Sequence, residues 1–126
     1  MSQTRAAELL EAVRVFLRGD VLPQLEGFSA YTTRVAANSL AIVLRELELG
    51  AELVEIDRRA AEHLGIDPGA GPVAHQLAVR LRDGSAQPDP EVLDYLRRRT
   101  LKTLEIDNPR YSGYLQARAC WEHDGG

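Results

Sequence analysis

The chain has 126 residues and a formal net charge of −4; 44% of its residues are hydrophobic and 27% are charged. This length and composition are typical of one globular domain with its own core, and they exclude a largely disordered chain. The acidic balance argues against a protein that binds nucleic acid or an anionic membrane surface.

The sequence also indicates a cellular compartment. Its single cysteine, Cys120, excludes an internal disulfide and is compatible with a reducing cytosol. The first residues lack the apolar core of a signal peptide. The longest wholly apolar run, residues 40–44, is far shorter than a membrane span. We therefore expect a soluble, cytoplasmic protein without a membrane partner.

A first amphipathic helix is predicted from Thr4, which can cap it, to Gly19. Apolar residues recur on one side of this helix at helical spacing, at positions 6, 9, 10, 13, 16 and 17. Residues 20–27 then predict a short turn. Asp20 can cap that turn, and Pro23 fits its start because a missing amide hydrogen is harmless there.

Residues 29–50 form the central element of the prediction, a helix that Ser29 can cap and Gly50 can end. A helical projection places two apolar seams on opposite sides of it. The first seam contains Tyr31, Val35, Ile42 and Leu49, and the second contains Ala36, Ala37, Leu40, Val43, Leu44 and Leu47. A helix with two apolar sides requires neighbours on two sides, so we expect this helix to be buried at the centre.

A third helix is predicted over residues 51–64, with Asp57 on its apolar face. Two interpretations of Asp57 are open. It could be a buried acid that pairs with Arg34 or Arg45 and orients a site. It could instead form a structural ion pair at the margin of a helix interface.

Residues 65–71, GIDPGAG, predict a connector, because no lysine follows the glycines as it would in a phosphate-binding loop. Pro72 then starts a fourth helix that ends near Arg82. Residues 83–90 form a second loop.

The fifth helix has a strong start, with Asp89 as its cap and Pro90 at the first helical position. Its predicted apolar stripe contains Val92, Leu93, Leu96, Thr100 and Leu104. The consecutive arginines 97–99 cannot all point one way on a helix. They indicate a solvated face or a docking patch for an acidic partner.

The fifth helix should break near Asp107, because Asn108 precedes a proline. Asn108 can then cap, and Pro109 can open, a sixth helix that carries Tyr111. The charged end, about residues 120–126, is expected to fray. Together these elements predict a single all-α domain over residues 1–126, a bundle of five or six helices around the buried central helix.

Two polar stretches could form a candidate site. They contain Arg34, Asn38, Arg45, Asp107, Asn108, Arg110 and Tyr111. A buried arginine needs a partner, so Arg34 with Asp107 or Asp57, and Asn38 with a backbone carbonyl, could form a structural network. Alternatively, Arg34, Arg110 and the helix start after Asn108 could bind a small anion or carboxylate. We predict no catalytic residue, metal site or cofactor.

Three stretches carry a family resemblance: ELLEAVRVFLRGDVLPQLEG (8–27), RVAANSLAIVLRELELG (34–50) and KTLEIDNPRYSGY (102–114). They resemble an uncharacterised bacterial all-helical domain family found beside or fused to aminoglycoside-phosphotransferase-like kinases and near acyl-CoA dehydrogenases. The resemblance implies a non-enzymatic accessory domain that acts with a separate kinase of this kind. It also implies a setting in acyl-CoA or alcohol catabolism.

Two further functions stay open at this point. The chain could bind, or act on, a small anionic ligand such as an acyl-CoA or a carboxylate, using Arg34, Asn38, Arg110 and Tyr111. It could also form a homo-oligomer through the outer face of the first or fifth helix.

Overall fold

The computed structural model describes residues 2–124, apart from the side chains of Gln3, His123 and Asp124. All regular structure in this part of the chain is helical, which confirms the all-α prediction. The five α-helices are α1 (Gln3–Phe16), α2 (Gly27–Leu64), α3 (Val73–Asp83), α4 (Pro90–Asp107) and α5 (Ser112–Asp124). No helix in the described part combines the length and apolar character needed to cross a bilayer.

The chain divides into two compact units, Met1–Gly50 and Ala51–Gly126. Helix α2 contributes residues 27–50 to the first unit and residues 51–64 to the second. The prediction of one domain stays a prediction.

The prediction that Gly50 separates two helices, 29–50 and 51–64, is wrong. Gly50 lies inside one continuous helix, and its φ is not positive. Strong helix formers surround it, and one glycine in a helix costs only about 1 kcal/mol. The helix ends instead at Gly65, whose φ of 65° is the left-handed conformation that glycine tolerates best.

Helix α1 begins and ends earlier than predicted. Ser2, and not Thr4, is its cap, since the Ser2 hydroxyl accepts a hydrogen bond from the Arg5 amide at 3.2 Å. After Phe16 the backbone continues in a π-helical turn, Leu17–Val21, which passes through Gly19. A 3₁₀ turn over Leu22–Gln24 then contains Pro23, as the sequence indicated.

Within the first unit, α1 and the start of α2 run antiparallel. Arg18, just beyond α1, donates a hydrogen bond to the Asn38 side-chain oxygen at 2.6 Å. Towards the other end of the pair, Ala7 and Leu47 line a common pocket. The second seam of α2 therefore faces α1.

The expectation that helix 29–50 is buried is wrong. Among the residues of the first unit whose burial is described, Ala37 alone is buried. On the first seam, Tyr31 is 59% exposed and Val35 is 45% exposed. The physical reason is that the first unit supplies one neighbouring helix, α1, which covers only one side of α2.

The second unit contains a closed apolar core. Its buried members are Ala60, Ala61, Ile66, Val73, Leu77, Val92 and Tyr95. They come from the end of α2, the connector after it, α3 and α4, so this core joins every element of the unit up to α4. The connector interpretation of residues 65–71 fits this placement, since Ile66 packs inward and Asp67 caps a single 3₁₀ turn.

The start of α4 is confirmed, but its predicted stripe needs correction. The Asp89 carboxylate accepts a hydrogen bond from the Val92 amide at 2.9 Å, and Pro90 opens the helix. Val92, Tyr95 and Ile106 are buried, whereas Leu93 and Thr100, which we placed on the stripe, are exposed. The face of α4 that turns towards α2 therefore differs from the predicted stripe. It includes Tyr95 and Arg99, whose side chains donate hydrogen bonds to Asp57 of α2.

The sixth predicted helix starts later than expected. Asn108 ends α4 instead of capping α5, since its amide donates to the Leu104 carbonyl at 2.7 Å. The Tyr111 amide donates to the Asn108 carbonyl at 3.1 Å, which closes a turn before Ser112. Residues 120–124, which we expected to fray, are helical, and residues 125–126 lie outside the described part.

Candidate functional site

The polar cluster predicted from sequence is divided between the two units. Arg34, Asn38 and Arg45 lie on α2 in the first unit, and Asp107, Asn108, Arg110 and Tyr111 lie at the α4–α5 turn in the second. A joint site of these residues stays a prediction.

Two premises of that prediction are corrected by the structure. Arg34 is exposed, so it does not require a buried partner. Asn38 is also exposed, and its side-chain oxygen accepts from Arg18 instead of its amide donating to a backbone carbonyl. Both corrections follow from the exposed position of the first unit's α2 segment.

Asp57 forms a structural ion pair, which was the second of its two interpretations. The Tyr95 hydroxyl donates to its carboxylate at 2.7 Å, and the Arg99 side chain donates to the same oxygen at 3.2 Å. Burial, aided by the hydrogen bond to Asp57, raises the pKa of Tyr95 above its ordinary value. Tyr95 therefore stays protonated and donates, and this contact ties α4 to α2.

The second unit contains a groove between α2 and α4, with a volume of about 810 Å³. We call it the α2–α4 groove. It is lined by Ala51, Glu52, Glu55, Ile56, Arg59, Ala60, His63, Leu64, Pro90, Glu91, Asp94, Tyr95, Arg98 and Lys102. Apolar side chains form its floor, and charged side chains of both signs form its two rims.

The charges on the α2 rim are paired. Glu55 accepts from Arg59 at 3.0 Å and from Arg58, which lies outside the groove, at 2.8 Å. These two guanidinium groups lower the pKa of Glu55 from its ordinary value of 4.5 to about 2. His63 lies against the Glu91 carboxylate of the opposite rim.

The charges on the α4 rim are paired as well. Arg98 contacts Asp94 at 2.9 Å, one turn away on the same helix. Lys102 contacts Glu52 of α2 at 3.2 Å and Glu105 at 3.0 Å. Burial acts to lower the pKa of Lys102, but its hydrogen bonds to Glu105 and Glu52 outweigh burial, so this pKa is raised and the lysine keeps its charge.

The three consecutive arginines do not all point one way, as their spacing on a helix predicts. Arg99 turns inward to Asp57, and Arg98 pairs with Asp94. Arg97 and Arg98 both line a second, smaller pocket of about 410 Å³, together with Trp121. Arg99 does not share that surface, and docking of an acidic partner by the triplet stays a prediction.

Sequence analysis missed the α2–α4 groove, although part of its pattern is visible in the sequence. Ile56, Ala60 and Leu64 recur at four-residue spacing, and the charged residues Glu52, Glu55 and Arg59 recur beside them. That pattern fits a core-facing helix equally well. Whether this row faces an open groove or a closed core depends on how far apart α2 and α4 lie, which is a tertiary property.

Comparison with protein families gives one match. The model of a family described as a domain of unknown function, DUF6285, matches residues 23–111. The chain belongs to the DUF6285 family. The DUF6285 segment contains every residue that lines the α2–α4 groove. No curated protein and no solved structure matches the chain.

Proposed function

We propose that this chain is a non-enzymatic accessory domain that binds a separate aminoglycoside-phosphotransferase-like kinase, in the setting of acyl-CoA or alcohol catabolism. The α2–α4 groove receives an amphipathic helix of that kinase. The observation that carries this proposal is the composition of the groove, whose apolar floor lies between rims of charges that are already paired within the chain.

The floor of the groove suits a helix. Ile56, Ala60 and Leu64 form one row along α2 that spans two helical turns, about 12 Å at 1.5 Å per residue. An amphipathic helix inserts apolar side chains at the same spacing into a groove of this type. Ala60, in the middle of the row, has a small side chain and lets the partner backbone come close.

The rims favour a protein partner over a small anion. An anion would need an available cation, whereas Arg59, Arg98 and Lys102 each contact a carboxylate of this chain. To bind there, an anion would have to displace those carboxylates and leave them unpaired, which is unfavourable. A partner helix only has to cover the floor and leaves the rim pairs intact.

The identity of the partner rests on a resemblance in the sequence. The three stretches 8–27, 34–50 and 102–114 resemble domains that accompany phosphotransferase-like kinases. An accessory protein acts by contact with its enzyme, and the groove is a surface of suitable chemistry for that contact.

The proposal is tested by isothermal titration of the purified chain with a purified aminoglycoside-phosphotransferase-like kinase from the same organism. Ala51 is exposed and lines the groove, so the variant Ala51→Trp fills it without disturbing the core. Ala78 is exposed on α3 and does not line the groove, so Ala78→Trp is the matched control. We expect Ala51→Trp to weaken binding by about 30-fold and Ala78→Trp to change it by less than about threefold.

Two results would overturn the proposal. The first is no heat of binding at micromolar concentrations of both proteins. The second is equal binding by the two tryptophan variants. A thermal stabilisation of the chain by acyl-CoA that Arg34→Ala removes would instead support the small-ligand alternative.

A further inference from the structure

The first seam of α2 is an apolar surface that its own unit leaves open. Phe28, one turn before the seam begins, is 78% exposed and stacks on Tyr31, with ring centroids 6.4 Å apart. Tyr31 and Val35 are exposed beside it, and Ile42 and Leu49 are half-buried. Large aromatic and branched side chains in a row on one helix mark an interaction surface.

The spacing of these residues is that of a coiled coil. Phe28, Val35, Ile42 and Leu49 are separated by seven residues each, and Tyr31 occupies the intervening position of the first heptad. Asn38 and Arg45 occupy the same intervening position in the next two heptads.

The charges beside the seam make it complementary to itself. Arg34 directly precedes Val35, and Glu48 directly precedes Leu49, so both lie on the same edge of the seam, two heptads apart. Both are exposed, and neither has an ion-pair partner among the described residues. This contrasts with the rims of the α2–α4 groove, where the charges are paired internally.

We propose that two copies of this chain form an antiparallel dimer through the first seam of α2, related by a two-fold axis near Ala41. In this arrangement Arg34 of each copy lies opposite Glu48 of the other, so the ion pair forms twice. Tyr31 of each copy packs near Leu49 of the other. The self-complementary charge pattern favours a second copy over an unrelated protein, because a two-fold interface uses the same surface twice.

The dimer supplies the neighbour that the first seam lacks. Each first unit consists of two antiparallel helical segments with one buried residue among those described. Two such pairs placed together give four helical segments, the number that encloses an apolar core in an up-and-down four-helix bundle. The first unit is therefore incomplete in one copy and complete in two.

The proposal is tested by sedimentation velocity over a concentration series of the full chain, from about 1 to about 100 μM, a range that brackets weak and moderate homodimers. Val35→Glu places a charge in the seam. Val54→Glu makes the same change on the same helix outside the seam, at a residue that is 68% exposed. We expect Val35→Glu to weaken dimerisation by about 100-fold and Val54→Glu to leave it within about threefold.

A charge exchange tests the antiparallel arrangement. Arg34→Glu alone and Glu48→Arg alone each put like charges opposite one another, so we expect each to weaken the dimer by about tenfold. The double variant restores the pair with its signs reversed, and we expect it to return to within about threefold of the original chain. Far-UV circular dichroism of every variant checks that its helices are retained.

The outcomes separate this proposal from the proposed function. A chain that is monomeric throughout the concentration series overturns the dimer, as does a dimer that Val35→Glu does not weaken. Failure of the double variant to recover overturns the antiparallel pairing. Ala51→Trp should leave the dimer intact and Val35→Glu should leave kinase binding intact, so either proposal can fail alone.

Discussion

The two units of this chain use apolar residues in opposite ways. The second unit encloses many of them in a core, with Leu77 and Val92 each 1% exposed and Tyr95 held by Asp57. The first unit displays them, and among its described residues eight large apolar side chains are exposed: Leu9, Val13, Val15, Phe16, Phe28, Tyr31, Val35 and Val43. The difference teaches that apolar content alone does not make a core, because a core also requires enough elements to surround it.

A consequence follows for where stability resides. Burial of apolar area is the main favourable contribution to folding, so the second unit should carry most of the free energy of unfolding of a single copy. The first unit should gain stability only when its exposed seam is covered. Four substitutions, three of them with a matched control, test how stability is distributed along the chain.

The largest expected effect is a truncation in the enclosed core. Leu77→Ala should lower the free energy of unfolding by about 3 kcal/mol, because it removes buried methyl groups and leaves a cavity. Leu9→Ala, at a position 49% exposed in the first unit, should lower it by less than about 1 kcal/mol. Urea denaturation at low protein concentration measures both values, and equal losses would contradict the contrast.

The next effect concerns the hydroxyl of Tyr95. Tyr95→Phe removes a hydrogen bond to the Asp57 carboxylate and should lower the free energy of unfolding by about 1.5 kcal/mol. Tyr111→Phe, at an exposed position, should change it by less than about 0.5 kcal/mol.

The same tyrosine makes a prediction for high pH. Burial and Asp57 raise the pKa of Tyr95 above its ordinary value of 10.0, so the unfolded chain loses this proton at a lower pH than the folded chain. The stabilisation is complete below pH 10 and should be lost progressively above it. The Tyr95→Phe variant should show a smaller decrease in stability above pH 10, and an identical decrease in both proteins would exclude the effect.

A smaller effect tests the continuity of α2 where the two units divide. Gly50→Ala should raise the free energy of unfolding by about 0.5–1 kcal/mol, since alanine is the better helix former and the added methyl meets only Glu46 at 3.9 Å. Gly84→Ala should lower it by about 1 kcal/mol, because Gly84 has a φ of 85°. A loss of stability in Gly50→Ala would instead indicate a helix end at Gly50.

The smallest effect is electrostatic and concerns the groove rim. Arg58 and Arg59 hold the pKa of Glu55 at about 2, below its ordinary value of 4.5. The folded chain therefore keeps this carboxylate ionised to a lower pH than the unfolded chain, and its stabilisation is lost as the pH falls from 4.5 towards 2. The difference in unfolding midpoint between the original chain and Glu55→Gln should be greatest near neutral pH and should shrink over this window.

Local sequence rules predicted the helical class and several helix ends well. Asp89 with Pro90 identified the start of α4, and Gly65 identified the end of α2, because a cap depends on a few adjacent residues. The prediction of a helix end at Gly50 was wrong. A glycine ends a helix only when the chain beyond it turns away, and here strong helix formers follow it.

The exposure of helix 29–50 and the presence of the α2–α4 groove could not be predicted from such local rules. The two seams predicted neighbours on two sides of this helix, and within the first unit the structure shows one of them, α1. Sequence periodicity shows that a neighbour is needed but does not say whether it belongs to the same chain. Asp57 gave a correct prediction of an ion pair, but its partner Arg99 lies 42 residues away along the chain, where spacing rules do not reach.

The internal pairing of the groove rims has a consequence for the kinetics of partner binding. Long-range attraction between oppositely charged surfaces accelerates association and weakens as added salt screens it. The rims carry four carboxylates and three cationic side chains, and most of these are neutralised by a neighbour at about 3 Å. A helix should therefore enter the α2–α4 groove without electrostatic steering, at a rate of about 10⁵–10⁶ M⁻¹s⁻¹ that depends little on ionic strength.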